Sequence, residues 1–345
     1  TATPTKPWAK TPIDHLRNFS FFALALLVTY LVVAITPMKG KLAYAFVFFV
    51  SYAVITSLVA FVSRGVPAAK DALIKSVVAL GAIVTLIPII SILGTVLKNG
   101  LPGIHIGLFT HDMSMATPTD PIESGGLLHA ITGTLTLVII ALVLSVPLGI
   151  LTALYLTEIR GKFSGPIRFL VQAMSGVPSI VAGLFILSAL IYPVTGERTG
   201  LMGALALAIL MIPTVARTAE EVLLLIPNDL REAGLALGAT QWRTVAMVVV
   251  PAVKSGLVTA VILGIARVIG ETAPILLVSG GGEAVNFNPV SGPMGSIPYY
   301  VWKSFQLGGT EESSQRTWAG LLVLILWVLF LFSIARYISS RSQKR

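Results

Sequence analysis

Two ionisable residues, Arg267 and Glu271, interrupt the apolar stretch LGIARVIGETAP. Because they lie four residues apart, they fall on one face of a helix, where a guanidinium and a carboxylate can pair. A charged side chain at the centre of a bilayer costs at least about 3 kcal/mol, so such charges usually face a bundle interior or a water-filled path. The pair is therefore predicted either to be purely structural or to line a path for a polar substrate.

Arg267 is the more informative half of this pair. A planar guanidinium that is always charged suits a tetrahedral oxyanion such as phosphate or sulfate better than a sugar or a metal ion. Glu271 repels an anion, so its expected role is to hold Arg267 when substrate is absent, or to act in a gate.

Four further polar residues in apolar stretches are candidates for the same path, and each has a structural alternative. Ser175 and Ser179, in SGVPS, either line a pore or bond their own backbone at a kink. Arg217 is either a second cation on the exit path or an anchor at the inner membrane surface. Thr272 is a candidate because it follows Glu271 directly.

A polar segment between two apolar runs, NDLREAGLALGATQWRTVAMVVVP, begins at Asn228. Asn228 or Asp229 is the predicted cap of a short helix, with Glu232 placed to complete a capping box from Asp229. Gly234 and Gly238, four residues apart, leave a face that another backbone can approach closely, and Gly238 is expected to end the helix after about two turns. Physical reasoning alone favours a linker helix on the membrane surface.

The chain that carries these residues has 345 residues, 55% of them hydrophobic and 11% charged, and its mean hydropathy is +0.89. Soluble domains carry about a quarter charged residues and lack apolar runs of about 20 residues. The runs are rich in Leu, Ile, Val and Ala, which indicates helices and not a barrel. We predict an all-α integral membrane protein with about eight spans. The predicted spans are 18–36, 42–63, 73–97, 128–155, 167–192, 200–224, 246–280 and 317–338.

The positive charges are distributed as a topology signal. Most of the 24 Lys and Arg residues lie between apolar runs on one side of the predicted membrane, the side that holds both termini. The positive-inside rule therefore places both termini in the cytoplasm, and the net charge of +9 does not indicate a nucleic-acid partner. The two long loops on the opposite side, 98–127 and 281–316, are expected to be functional or disordered.

No catalytic or metal site is predicted. The chain has no cysteine, which excludes disulfides and thiolate metal ligands. His105 and His111, with Asp112 adjacent, are expected to be ordinary polar loop residues. The adjacent carboxylates Glu220 and Glu221 have no accompanying nucleophile or metal ligand, so they are expected to form a solvated edge.

The polar segment resembles the EAA motif of ABC-importer permeases, which is Glu-Ala-Ala, three residues, Gly, nine residues, then Ile-x-Leu-Pro. Here Glu232, Ala233 and Gly234 are followed by Gly238 and, nine residues later, by VVVP at 248–251. The resemblance implies a coupling helix that docks in a groove of a cytoplasmic ATPase, with Glu232 in the charged contact and the small residues in close packing. Because the chain has no G-x-x-x-x-G-K-[ST] sequence, ATP and Mg are expected on that partner, and no cofactor is expected here.

Other segments resemble the PstA-type permeases of phosphate-specific ABC importers. They are GIARVIGETAPILL, GVPSIVAGL, PTVARTAEEVL and the loop segment FNPVSGPMGSIPYYVW, and the resemblance covers about 70–345. It implies a six-span type I (MetI-like) importer core within a permease domain at 67–345, with the conserved-type core at about 128–338 and the coupling helix at about 228–242. Residues 1–66 add two spans that the usual six-span PstA type lacks.

The resemblance also implies a function and an assembly. The chain is expected to form half of a phosphate pore in the bacterial plasma membrane, surrounded by lipid and paired with a PstC-like permease. Two PstB-like ATPases and a PstS-like phosphate-binding protein complete the expected complex. Two alternatives stay open: a permease for another oxyanion, such as sulfate or molybdate, and a proton-coupled secondary transporter with Glu271 as relay, which leaves the EAA spacing unexplained.

Overall fold

The computed structural model describes residues 12–37, 39–307 and 309–342, and within these ranges helices form the regular structure. No β-strand occurs in this part of the chain, where one isolated bridge joins Gly280 to Met294. The predicted all-α fold is confirmed.

The helices differ in length and in hydrogen-bonding type. The α-helices are α1 (Pro12–Ile35), α2 (Lys41–Arg64), α3 (Val66–Gly100), α4 (Ile106–Thr110), α5 (Leu128–Leu154), α6 (Ser164–Ser175), α7 (Ser179–Ile186), α8 (Gly200–Leu224), α9 (Asn228–Ala236), α10 (Gln241–Thr244), α11 (Val250–Ala252), α12 (Lys254–Val268), α13 (Ala273–Val278), α14 (Ile297–Gln306) and α15 (Glu311–Ser342). The π-helical segments are Tyr155–Ile159, Leu187–Thr195 and Val245–Val249, and the 3-10 turns are Leu101–Gly103 and Ile122–Ser124.

The helices agree with a multi-pass membrane protein. In the described ranges, 6 helical segments are long and apolar enough to cross a membrane, or up to 8 if each of two bent helix pairs is counted as one span. The two bent pairs correspond to the predicted spans 167–192 and 246–280, which are therefore not straight crossings.

The first bend has a local cause in the sequence. In the first pair, α6 meets the α7 segment at 105°, and Gly176, Val177 and Pro178 lie between them. Proline lacks an N–H and restricts the residue before it, so a helix usually ends there. In the second pair, the helices on either side of Val253 meet at 73°, two residues after Pro251.

By backbone contacts the chain divides into two compact units, Thr1–Gly94 and Thr95–Arg345. In the first unit, α1 packs against α2, and Phe22 meets Phe48 edge to face with 5.2 Å between ring centroids. Many of its apolar side chains are exposed, as expected of helices in contact with lipid. The predicted domain boundary between residues 66 and 67 stays a prediction.

In the second unit, α8 is the central helix. It contacts α5, α6, α7, α12 and α13. Leu207, Met211, Val215 and Ala219 recur every four residues along α8, and all four are buried. Ala206, Ala208 and Ala216 are buried on other faces of α8, and a helix that is buried on several faces belongs at the centre of a bundle.

Val215 of α8 packs between two glycines on neighbouring helices. A Cβ at Gly149 of α5 would lie 2.8 Å from Cγ1 of Val215, and a Cβ at Gly264 of α12 would lie 2.7 Å from its Cγ2. Small residues allow helix backbones to approach this closely in membrane proteins, where association depends on van der Waals packing. Val215 is fully buried, so α5 and α12 both close onto the same side chain.

The two long loops that were expected to be functional or disordered pack together as an outer layer. Leu108, Met113 and Leu127 of the first loop share an apolar cluster with Ile297 and Tyr300 of α14. Burial raises the pKa of the Tyr300 hydroxyl above its ordinary value. The layer is therefore folded and has a core of its own.

Arg316, near the start of α15, anchors this layer although it is fully buried. Its Nη2 donates hydrogen bonds to the backbone carbonyls of Asp120 (3.2 Å) and Pro121 (2.6 Å). On the same face, Lys303 of α14 pairs with Glu283, and burial of the ammonium group lowers the pKa of Lys303.

Asp112 fastens the first outer loop to the second. Its Oδ2 accepts a hydrogen bond from the N–H of Val285 (3.1 Å). Its Oδ1 accepts bonds from the N–H (3.1 Å) and the hydroxyl (2.7 Å) of Ser114. Burial by itself raises the pKa of this carboxyl, but the hydrogen bonds outweigh burial and hold the pKa of Asp112 below its ordinary value of 3.8.

The close packing at Gly264 predicts a measurable loss of stability on enlargement. Gly264→Ala adds a methyl group against Val215, and overpacking of this kind costs about 1–3 kcal/mol. We expect a lower thermal midpoint for the detergent-purified chain and partial rescue by Val215→Ala, which opens the space. Gly81→Ala is the control, because a Cβ there meets no atom within 4 Å. Equal midpoints for Gly264→Ala and Gly81→Ala would contradict the packing.

The Asp112 contacts predict a pH-dependent contribution to stability. Because the folded pKa is below the unfolded pKa, the contribution is present above the unfolded value and is lost as pH falls through the folded value. Asp112→Asn should lower Tm by roughly 2 °C near neutral pH, and its difference from the parent chain should disappear below the folded pKa. Glu123→Gln, at an exposed position in the same loop, is the control. A difference that stays constant with pH would exclude this role for the ionised carboxylate.

Candidate functional site

The helix that carries the buried charges is broken beside them. α12 ends at Val268, and α13 begins at Ala273. Pro274, in the first turn of α13, has no N–H to donate to the carbonyl of Gly270, so the helical hydrogen bonding cannot continue. The two charges therefore do not lie on one helix face as the i,i+4 spacing predicts, and Glu271 lies in the connection between two helices, beside Gly270 and Pro274, two positions at which the sequence allows a break.

Arg267 and Glu271 are nevertheless in contact across this break. Nη1 of Arg267 donates to Oε1 of Glu271 in a direct ion pair. The N–H of Glu271 also donates to the carbonyl of Val268 (3.1 Å), which holds the carboxylate close to the end of α12. At about 1.5 Å per residue, Arg267 lies about 20 Å along α12 from Lys254, which would place it within the hydrocarbon core if Lys254 marks one membrane surface.

The two members of the pair differ in exposure. The Glu271 side chain is 13% exposed, while that of Arg267 is 45% exposed. Arg267 continues an uncovered stripe of α12 that includes Thr259 and Leu263, whereas Val268 packs into the core around α8. The guanidinium therefore lies on the α12 face that the second unit of this chain leaves open.

Two of the four other path candidates, Ser179 and Thr272, lie on elements next to the charged pair. Ser179 begins α7, and α7 packs closely on α13, because a Cβ at Gly183 would lie 2.8 Å from Cα of Pro274. Thr272 stands at the break itself, where its hydroxyl makes a long hydrogen bond (3.5 Å) to the carbonyl of Gly270. The helix that begins at Ser179 is therefore packed against the helix that follows the break.

Ser175 and Arg217 are not brought to the break by any contact in the described residues. Ser175 ends α6 and donates to the carbonyl of Val171 (2.9 Å), the structural alternative stated for it. Arg217 is exposed on α8 and has no ion-pair partner in the described ranges. Glu220, expected on a solvated edge, accepts instead from Arg168 of α6 at 2.7 Å.

The EAA-like segment forms a short exposed helix, α9. It begins at Asn228 with Pro227 at the N-cap, so the predicted cap by Asn228 or Asp229 is wrong. Glu232 and Ala233 are exposed. Gly234 is buried against α10, where a Cβ would lie 2.7 Å from Cγ2 of Thr244.

Gly238 ends this helix as its sequence indicates. Its φ of +79° is in the left-handed region, where a side chain is disfavoured. The N–H of Gly238 donates to Leu235 (2.9 Å), and the N–H of Ala239 donates to Gly234 (3.3 Å), which is the hydrogen-bond pattern of a Schellman motif. Glycine therefore occupies the two positions for different reasons: Gly234 allows close packing against Thr244, and Gly238 allows the chain to reverse after the helix.

An ion pair that sequence reasoning missed holds α9 to the rest of the second unit. Arg231 binds Glu158, at the end of the π-helical segment after α5, through Nε (3.0 Å to Oε2) and Nη2 (2.8 Å to Oε1). The side chains are only 16% and 6% exposed. They lie 73 residues apart in the sequence, so no local spacing links them. The available signal was a carboxylate, Glu158, isolated at the end of an apolar run.

Comparisons with known proteins show the family of this chain. Residues 145–344 match the family described as "Binding-protein-dependent transport system inner membrane component". The chain is 37% identical over 268 residues to the phosphate transport system permease protein PstA 1 of Mycobacterium tuberculosis, a match that covers 76% of this chain and 86% of that protein. It is also 37% identical over 256 residues to the PstA protein of Pasteurella multocida, covering 73% and 88% of the two chains.

Among solved structures, the inward-facing methionine ABC transporter MetNI aligns with a TM-score of 0.49 and 20% identity, over 63% of this chain and 94% of that chain. The extent of the sequence matches identifies the family. This chain belongs to the PstA family of binding-protein-dependent transport system inner membrane components.

Proposed function

We propose that this chain is the permease subunit of an ATP-driven importer of inorganic phosphate, that it forms half of the translocation pore, and that α9 couples it to a cytoplasmic ATPase. The observation that carries the proposal is the Arg267–Glu271 pair on the open face of a broken helix. The names of the PstA relatives supply the substrate.

The open face of α12 is the argument for a pore. A guanidinium that faced hydrocarbon at this depth would cost at least about 3 kcal/mol. Arg267 therefore faces water or a second protein, and a homologous permease paired with this chain supplies both, a partner surface and an aqueous path between the subunits. Broken helices at mid-membrane depth commonly form substrate sites in transporters, since irregular backbone is tolerated where it lines a cavity.

The pair has a simple chemical role in transport. With no substrate present, Glu271 neutralises Arg267 and lowers the cost of holding the charge in the membrane. A phosphate ion competes for the guanidinium, which can donate to two of its oxygens at once. Thr272 and Ser179 add hydroxyl groups along the path, and Arg217 is a second cation toward the inner surface, whereas the Ser175 hydroxyl bonds the carbonyl of Val171 and has a structural role.

The coupling role is assigned to α9, where Glu232, Ala233, Gly234 and Gly238 keep the EAA spacing. The proposed assembly holds a PstC-like permease, two PstB-like ATPases that bind ATP and Mg, and a PstS-like binding protein on the outer layer. This places both termini and α9 in the cytoplasm, consistent with the positive-inside distribution of Lys and Arg. This chain itself binds no nucleotide in the proposal.

Arg267→Gln should reduce phosphate uptake by proteoliposomes containing the assembled complex by about 100-fold or more, since a charged contact to the anion is lost. Glu271→Gln should retain more uptake, because Arg267 keeps its charge. The control is Lys75→Gln, which breaks an exposed i,i+4 pair with Asp71 (2.6 Å) in the first unit.

Three outcomes separate the possibilities. If both pair variants lose the assembled complex equally, the pair is structural only and the substrate role is wrong. If sulfate or molybdate inhibits the uptake of labelled phosphate as strongly as unlabelled phosphate does, the permease serves another oxyanion. Loss of phosphate uptake in Arg267→Gln with the complex intact supports the proposal.

Glu232→Lys should prevent co-purification of the ATPase, because it reverses a charge on the exposed face of α9. Glu221→Lys makes the same change at an exposed carboxylate of α8 and should leave the ATPase bound. Affinity purification of the tagged permease with quantitation of the ATPase measures both. Normal ATPase recovery with Glu232→Lys would contradict the assignment of α9.

A further inference from the structure

The buried pair between Glu158 and Arg231 joins more elements than an ordinary ion pair. Besides its two contacts with the carboxylate, the guanidinium donates from Nη1 to the carbonyl of Ile226 (2.8 Å) and from Nη2 to the carbonyl of Leu223 (3.0 Å). These carbonyls belong to the C-terminal end of α8 and the turn after it, where helical hydrogen bonds run out. Arg231 therefore ties α9 to the inner ends of both α5 and α8.

The carboxylate residue adds a further connection. The backbone carbonyl of Glu158 accepts a hydrogen bond from Nε2 of Gln241 (2.6 Å), the first residue of α10. Next to these polar contacts, Leu154, Leu223, Ile226 and Val245 belong to one buried apolar cluster. The chain before α9, at Ile226, and the chain after it, at Gln241, are therefore both bonded to members of the Glu158–Arg231 pair.

We propose that Glu158 and Arg231 are positioning residues that hold the coupling helix rigidly to the inner ends of α5 and α8, so that movement of α9 is passed to the helices around the pore. The proposal rests on the proposed function for its transport readout. Buried ion pairs are weak evidence for stability, because the cost of desolvation offsets their attraction. This pair also binds two backbone carbonyls through Arg231, and Gln241 binds the carbonyl of Glu158, so the contacts fix the geometry of α9 relative to α5 and α8.

The route from this joint to the candidate site is contiguous. α5 and α8 are joined at the pair, and they share the Val215 contact with α12 through Gly149 and Gly264. Arg267 lies three residues beyond Gly264 on α12. A displacement of α9 therefore reaches the charged pair through packed helices and not through loops.

The test uses Glu158→Gln and Arg231→Lys in the assembled complex, with Arg168→Lys as the matched control. Arg168 pairs with Glu220 between α6 and α8, with side chains 48% and 14% exposed, and its ion pair and side-chain hydrogen bonds within the described ranges involve no residue of α9. Both test variants should retain ATPase binding and ATP hydrolysis, while the phosphate transported per ATP falls about tenfold. The control should keep the parent ratio.

A second readout is independent of transport. The chain has no cysteine, so spin labels can be attached at Leu235→Cys on α9 and Leu225→Cys after α8, both exposed positions. Pulsed electron paramagnetic resonance should give a narrow distance distribution in the parent chain and a broad one in Glu158→Gln and Arg231→Lys. A narrow distribution in both variants, an unchanged transport ratio, or loss of the assembled complex in both would overturn the proposal. If distances broaden but no phosphate is transported by the parent complex, the joint stands and the proposed substrate fails.

Discussion

Val215 and the two glycines against it are the contact on which the second unit depends. Because Gly149 and Gly264 have no side chain, α5 and α12 both approach α8 closely enough to enclose one valine. This packing orients α12: Gly264 and Val268 turn toward α8, and Arg267 turns away from it. The position of the charged pair is therefore a consequence of small-residue packing one turn earlier in the same helix.

The second constraint is electrostatic. A membrane protein holds a charge at mid-depth only where water, a partner or an opposite charge offsets the loss of hydration. Here the opposite charge comes from Glu271, and the break in the helix at Pro274 brings it to the guanidinium without continuous helical backbone. The same principle accounts for Arg316 and Arg231, whose buried guanidinium groups bind backbone carbonyls.

The sequence was sufficient for features that depend on local pattern. The apolar runs predicted the helices, the Gly238 position predicted the end of α9, and the EAA spacing predicted an exposed short helix between two spans. Features that depend on tertiary contact were not predictable: the packed outer layer and the Glu158–Arg231 joint. The N-cap is Pro227 and not Asn228 or Asp229, because the helix begins one residue earlier than expected and both polar residues lie inside its first turn.

The central claim is that ATP hydrolysis on partner subunits, and not an ion gradient, drives phosphate through a pore to which this chain contributes. The most direct measurement is uptake of labelled phosphate into proteoliposomes that contain the permease pair, the ATPase and the binding protein, with ATP and a pH gradient varied separately. The account predicts uptake that requires ATP and continues when the pH gradient is collapsed. Uptake without ATP that stops when the gradient is collapsed would contradict it.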